Sequence, residues 1–182
     1  MEVLELADVG AWEAWLEAHH GDDGEAWLRI AKLRSPLEVI RIGDALDGAL
    51  CFGWIDGRRQ GLDGDSFLQR YSPRRPRSPW SKVNRAKAEA LIAAGRMRPA
   101  GLAQIEAARA DGRWDRAYEP QRTAAVPAEL AAALTAHPAA QAAFDSLGRS
   151  EQYALFLPLL KAPTPRSREQ IVARVLAELG SA

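Results

Sequence analysis

One cysteine, Cys51, is all that the 182 residues contain. An intrachain disulfide framework and a cysteine-cluster metal site are therefore both excluded. Histidine is nearly as scarce, and of the three present His19 and His20 are adjacent, which leaves no zinc-like spacing. No metal and no cofactor is implied. No apolar run is long enough to cross a bilayer, and the first ten residues, MEVLELADVG, lack the basic and apolar regions of a secretory signal. A reduced, cytoplasmic setting is the expectation. Net charge is also missing, since 24 Lys/Arg balance 24 Asp/Glu.

That zero hides an uneven distribution. Residues 1–50 carry four basic side chains against eleven acidic ones, residues 51–122 fifteen against eight, and residues 123–182 five of each. A basic middle inside a neutral chain marks an anion-facing surface, because local potential rather than total charge steers a ligand. A hydrophobic content of 47% is ordinary for a globular protein with one full core and a small helical appendage.

Along the chain, Asp8 is a plausible N-cap for a helix to about His20, with Trp12, Trp15, Leu16 and His19 on one side. Ala26 to Ala31 alternates as a short strand. Ser35–Pro36 with Glu38 has the form of a capping box, and predicts a helix from Pro36 to about Leu50. Phe52 to Gln60 and Ser66 to Tyr71 are two arms of a hairpin around Asp63–Gly64, where a positive φ is expected. Gly53 and Gly57 in its first arm predict a bulge or the close approach of another group. Helices are expected through Ala94, starting at Ser78 or Ser81 with Val83, Ala86, Ala90, Leu91 and Ala94 as the apolar stripe, and from Pro99 to Ala110, burying Leu102, Ile105 and Ala108. Residues 113–126 read as a linker, followed by Ala-rich helices. The fold class is α+β: a small antiparallel sheet of about three strands with packed helices and a C-terminal helical extension, divided as 1–118 and 119–182.

The chemistry concentrates in Tyr71–Arg85, YSPRRPRSPWSKVNR. Pro73, Pro76 and Pro79 hold it extended. Arginines running into a helix start make an anion site, since free N–H groups and the helix dipole favour negative charge. Arg74, Arg75, Arg77 and Lys82 supply charged donors, Ser81 and Asn84 neutral ones, and Trp54 and Trp80 rings for stacking. The competing reading has Arg75 and its neighbours paired with Asp44, Asp47 or Asp56 and both tryptophans in the core. No catalytic set is evident. Asp56 is the sole candidate acid/base, with neither a second carboxylate nor a histidine at a diagnostic spacing, and Cys51 reads as buried and inert.

Four runs carry a resemblance: ALCFGWIDG at 49–57, PRRPRSPWSKVN at 73–84, GRMRPAGLAQIEAARADGRWDRAY at 95–118 and LLKAPTPRSREQIVARV at 159–175. Together, from Trp12 to Gly180, the chain resembles the YdeI/OmpD-associated, bacteriocin-protection family. The resemblance implies a bacterial protein associated with envelope stress, antimicrobial-peptide resistance and an envelope protein partner. It carries over no catalytic residues. Three functions stand as expectations: a non-catalytic binder of a nucleic acid or a small phosphorylated ligand, an enzyme on a small anionic substrate using Asp56, or an interaction module using the C-terminal helices.

Overall fold

The computed structural model describes residues 2–180. They divide into two compact units, one running to Trp80 and including Asn84–Arg116, the other comprising Ser81–Val83 and the residues from Ala117 onward. The first is α+β. Its elements are β1 (Val3–Leu4), α1 (Val9–His19), β2 (Ala26–Ala31), α2 (Ile42–Cys51), β3 (Trp54–Gly61), β4 (Ser66–Pro73), α3 (Lys82–Ala93) and α4 (Pro99–Ala110). The sheet order is β1-β2-β4-β3, with β1 parallel to β2 and the other pairs antiparallel. The sheet thus has four strands where about three were expected. The extra one, β1, is two residues long and too short to carry a period.

Asp8 caps α1 by accepting the Ala11 N–H at 2.9 Å. One face of α1 then buries Trp12 and Leu16 completely. Trp12 Nε1 donates to the Ala45 carbonyl at 3.0 Å, and its ring lies where a Cβ on Gly48 would stand 2.6 Å from Cδ1. Glycine there lets α2 seat on the indole. Trp54 and Tyr71 complete this cluster, 6.3 and 5.7 Å from Trp12 between ring centroids.

Three expectations need correction. No helix starts at Pro36; α2 begins at Ile42. The Ile40 N–H donates to Leu6 O at 2.9 Å and its carbonyl accepts from Ala31 at 3.2 Å, while Ile40 itself is 2% exposed. Ser35 Oγ accepts the Leu37 N–H instead of capping a helix. Pairing at the sheet and burial of Ile40 outweigh the local capping signal. The β3–β4 turn also does not use a left-handed glycine, since Gly64 is not among the positive-φ residues. Asp63 holds the turn, its Oδ1 accepting from the Asp65 and Ser66 N–H groups and the Ser66 hydroxyl at 2.7–2.9 Å. Finally, Val83 and Leu102 are 44% and 37% exposed, while Leu91, Ile105 and Ala108 are buried as expected and Ala88 is buried with them.

The bulge read from Gly57 is present, as a register shift between Asp56 and Arg59. Buried Gln69 fastens it, donating from Nε2 to the carbonyls of Gly57 and Arg58. Gly53 has φ +75° and faces the Ala100 carbonyl, so the close approach expected there is a helix backbone.

The second unit is helical, with α5 (Ala128–Thr135), α6 (Pro138–Ser146), α7 (Arg149–Lys161) and α8 (Pro165–Gly180) around Leu130, Leu134, Phe144, Phe156, Leu159 and Val175. Helices this short are marginal alone and hold by burying that shared core. The segment before α5 is tied to them by Arg149, which donates to the carbonyls of Gln121 and Ala124, and by the Tyr153 hydroxyl, which donates to Glu119 O at 2.9 Å. No helix among the described residues is long and apolar enough to cross a membrane.

Candidate functional site

The loop after β4 is where sequence and geometry meet. The Arg74 N–H donates to Gly53 O at 3.0 Å, which turns the chain back over β3. Arg74 is 5% exposed, and its guanidinium lies 3.6 Å from the centroid of the Trp80 ring while Nη1 donates to Pro79 O at 3.3 Å. A desolvated contact of this kind is worth about 2 kcal/mol. Trp80 in turn meets Trp114 edge-on at 4.8 Å. Arg113 Nη1 closes the loop on the Ser78 carbonyl at 2.8 Å. Within the loop Ser78 N–H donates to Arg75 O, and Arg77 takes φ +66°, unique for a non-glycine among the described residues. Such a conformation costs about 1–2 kcal/mol, and the fixed ends of the loop impose it. Arg75 and Arg77 are exposed and form no ion pair among the described residues.

This loop walls a cleft of about 620 Å³ within the sheet unit, lined by residues 23–25, 55–57, Arg70, 72–76 and Ser78. Strand register explains the lining. Residues opposite one another in a ladder share a face, so Asp56 and Tyr71, with Ala26, lie on the helix-covered side, while Ile55 and Ser72, and Trp27 and Arg70, lie on the other. The cleft belongs to this second face. Arg70 Nη1 reaches Glu25 at 3.0 Å, and Glu25 also accepts from Trp27 Nε1 at 2.8 Å. The Trp27 hydrogen bond and then Arg70 hold the Glu25 carboxyl below its ordinary range. A Cβ on Gly57 would stand 2.9 Å from Arg70 Nε and Nη2, so glycine gives the guanidinium room to lie across β3.

Arg74 and Arg75 therefore come to one concavity; Asp56 borders it from β3, but its register sets its side chain on the face of Tyr71. Trp54 does not join them: it is 1% exposed in the helix-side cluster, its Nε1 donating to His20 O at 3.1 Å. Trp80 is 2% exposed beneath Arg74, and Arg77 lies outside the lining. Ser81 and Lys82 cluster with the second unit, where Ser81 bridges to Tyr118 and Lys82 pairs with Glu119. Asn84 is half-buried on α3. Of the acids first weighed as partners of Arg75, Asp47 pairs with Lys87 at 2.6 Å.

Sequence reasoning missed residues 23–25. The signal that finds them is register: pairing Ala26 with Tyr71 brings the preceding Asp-Gly-Glu alongside Ser72 and the arginine loop. Two buried titratable groups lie elsewhere. Burial, and next the Asp56 charge, push the Tyr71 phenol upward. Burial likewise pushes the Cys51 thiol up to about 11. Among the described residues no three His, Cys, Asp or Glu side chains gather to hold a metal ion.

Residues 4–104 match a family described as a domain of unknown function, DUF8412. Residues 123–181 match the family described as bacteriocin-protection, YdeI or OmpD-associated. The resemblance to the second family thus stands for the C-terminal part, with the run at 159–175, while the runs at 49–57 and 73–84 fall in the stretch matched by the first. No curated protein and no solved structure matches the chain.

Proposed function

We propose that this chain, which belongs to the DUF8412 domain family and carries a YdeI/OmpD-associated domain in its C-terminal third, is a non-catalytic binding protein whose sheet unit takes a small phosphate-bearing or other anionic ligand. The observation that carries the reading is two adjacent guanidiniums in one cleft. Arg74 is buried and braced by Trp80, and the Arg75 side chain is exposed with no side-chain hydrogen bond or ion pair among the described residues. An anion between them gains charge-assisted donors worth about 1.5–3 kcal/mol each, one of them already ordered. The volume also falls in the range of small-ligand sites, about 300–1,000 Å³.

A small ligand fits this arrangement better than a nucleic acid. The tryptophans that would stack on bases, Trp54 and Trp80, are buried, and sequence-tolerant strand binding relies on exposed rings. The catalytic alternative has less support still, because Asp56 shares its sheet face with the buried Tyr71 rather than with Arg70 and Ser72. A cytoplasmic role in protection against bacteriocins or envelope stress is the part of the proposal that leans on the second family's name.

Calorimetric titration with pyrophosphate at low salt tests the reading. Arg75→Ala should weaken binding roughly tenfold, the size of one charge-assisted hydrogen bond. Affinity should fall with added salt, but much less steeply than for a protein spanning many phosphates. Failure of the unaltered protein to bind, or equal binding by Arg75→Ala, overturns it.

A further inference from the structure

We infer, resting on that anion-binding reading, that the ligand of the cleft is zwitterionic: a small molecule carrying an anionic group at one end and an amine at the other. The cleft is lined by carboxylates as well as guanidiniums, and the decision lies in which of them are already committed. Arg70 and Glu25 neutralise one another, and Glu25 also holds Trp27. The Asp56 carboxylate is directed by register to the opposite face of the sheet. Among the charged side chains lining the cleft, Asp23, Asp56 and Arg75 have no hydrogen bond or ion pair among the described residues, and with Asp56 set on the face of Tyr71 the two left to a ligand are Asp23 and Arg75, one of each sign.

They do not pair with each other across the concavity. A ligand with a charge at each end bridges such a pair, whereas a wholly anionic one meets repulsion at Asp23. Arg74, more than nine-tenths buried, is fixed against Trp80 and the Pro79 carbonyl, so the anion end is ordered before binding. The amine end is presented by the exposed turn ahead of β2. Glu25, one residue from the strand and already paired, keeps a second negative group near the amine without competing for it.

The experiment compares matched probes that differ only in the amine, at low salt and by calorimetry. O-phosphoethanolamine is set against ethyl phosphate, and β-alanine against propionate, so that phosphate and carboxylate forms of the anionic end are told apart. The expected result is binding about fivefold tighter for the amine-bearing member of the preferred pair, the size of one partly solvated ion pair. In Asp23→Asn that ratio should collapse towards one; Asp23 is exposed, and circular dichroism checks that the variant is folded. Equal affinity within both pairs overturns the zwitterion and leaves the anion site standing. A ratio that survives in Asp23→Asn overturns the assignment of Asp23. No binding of either pair overturns both this inference and the reading beneath it.

Discussion

Replacing Gly101 by alanine should loosen the sheet unit, and the size of the effect follows from where α4 crosses the end of α2. A Cβ at Gly101 would stand 2.3 Å from the Cys51 carbonyl oxygen, 2.8 Å from that of Leu50 and 2.6 Å from Met97 Cε. Methionine can move aside; the two carbonyls belong to helix backbone. Ordinary contact begins at 3.4 Å, so α4 must recede by about an ångström, which also breaks the Arg98 N–H bond to Cys51 O, now 3.1 Å. Overpacking costs about 1–3 kcal/mol and a lost hydrogen bond about 1 kcal/mol, against about 1 kcal/mol gained by alanine over glycine in a helix. A net loss of about 2 kcal/mol is expected. All six tryptophans fall in the sheet unit, so urea unfolding followed by tryptophan emission reads that unit alone. With an m-value of about 1.5 kcal/mol/M the midpoint should fall by about 1 M or more. Gly43→Ala on α2, with nothing within 4 Å of its Cβ, is the control and should be neutral or slightly stabilising. A Gly101→Ala midpoint at or above that of the unaltered protein would refute the packing described for α2 and α4.

Two further predictions concern titratable groups away from the cleft. Asp63 is held down to about 2, first by the Ser66 hydroxyl and then by backbone N–H groups and Arg29, against an ordinary 3.8. A depressed carboxyl stabilises above its unfolded value, so its contribution is complete above about pH 4 and is lost as pH falls towards 2. The difference in urea midpoint between the unaltered protein and Asp63→Asn should therefore shrink over that window, and a constant difference would contradict the assignment. Cys51, fully buried and with its thiol raised to about 11, should resist iodoacetamide at pH 8 until urea unfolds the sheet unit. Rapid labelling without denaturant would show the thiol to be accessible.

Much of the framework was legible because local signals and tertiary needs coincide. β2 and α4 lie where alternation and the Pro99–Gly112 punctuation put them, and Asp8 caps α1 as its position implied. The reading failed where a distant partner decided. Ser35, Pro36 and Glu38 have every local mark of a helix start, yet Ile40 is needed by Leu6 and Ala31. Half of the cleft was hidden for the same reason. The arginines of residues 74–77 announce themselves by composition, but Asp23 and Glu25 join them only through the Ala26–Tyr71 register. Nor does composition distinguish a tryptophan that stacks on a ligand from one that braces an arginine, as Trp80 braces Arg74.

The central claim is that the cleft beside Arg75 receives an anion. Amide chemical-shift mapping of the isotope-labelled protein, titrated with pyrophosphate at low salt, tests it most directly. The account predicts saturable shifts concentrated at residues 23–25, 55–57 and 70–78, and their loss in Arg75→Ala. Shifts scattered over the basic surface, shifts centred elsewhere, or a response unchanged in the variant would contradict it.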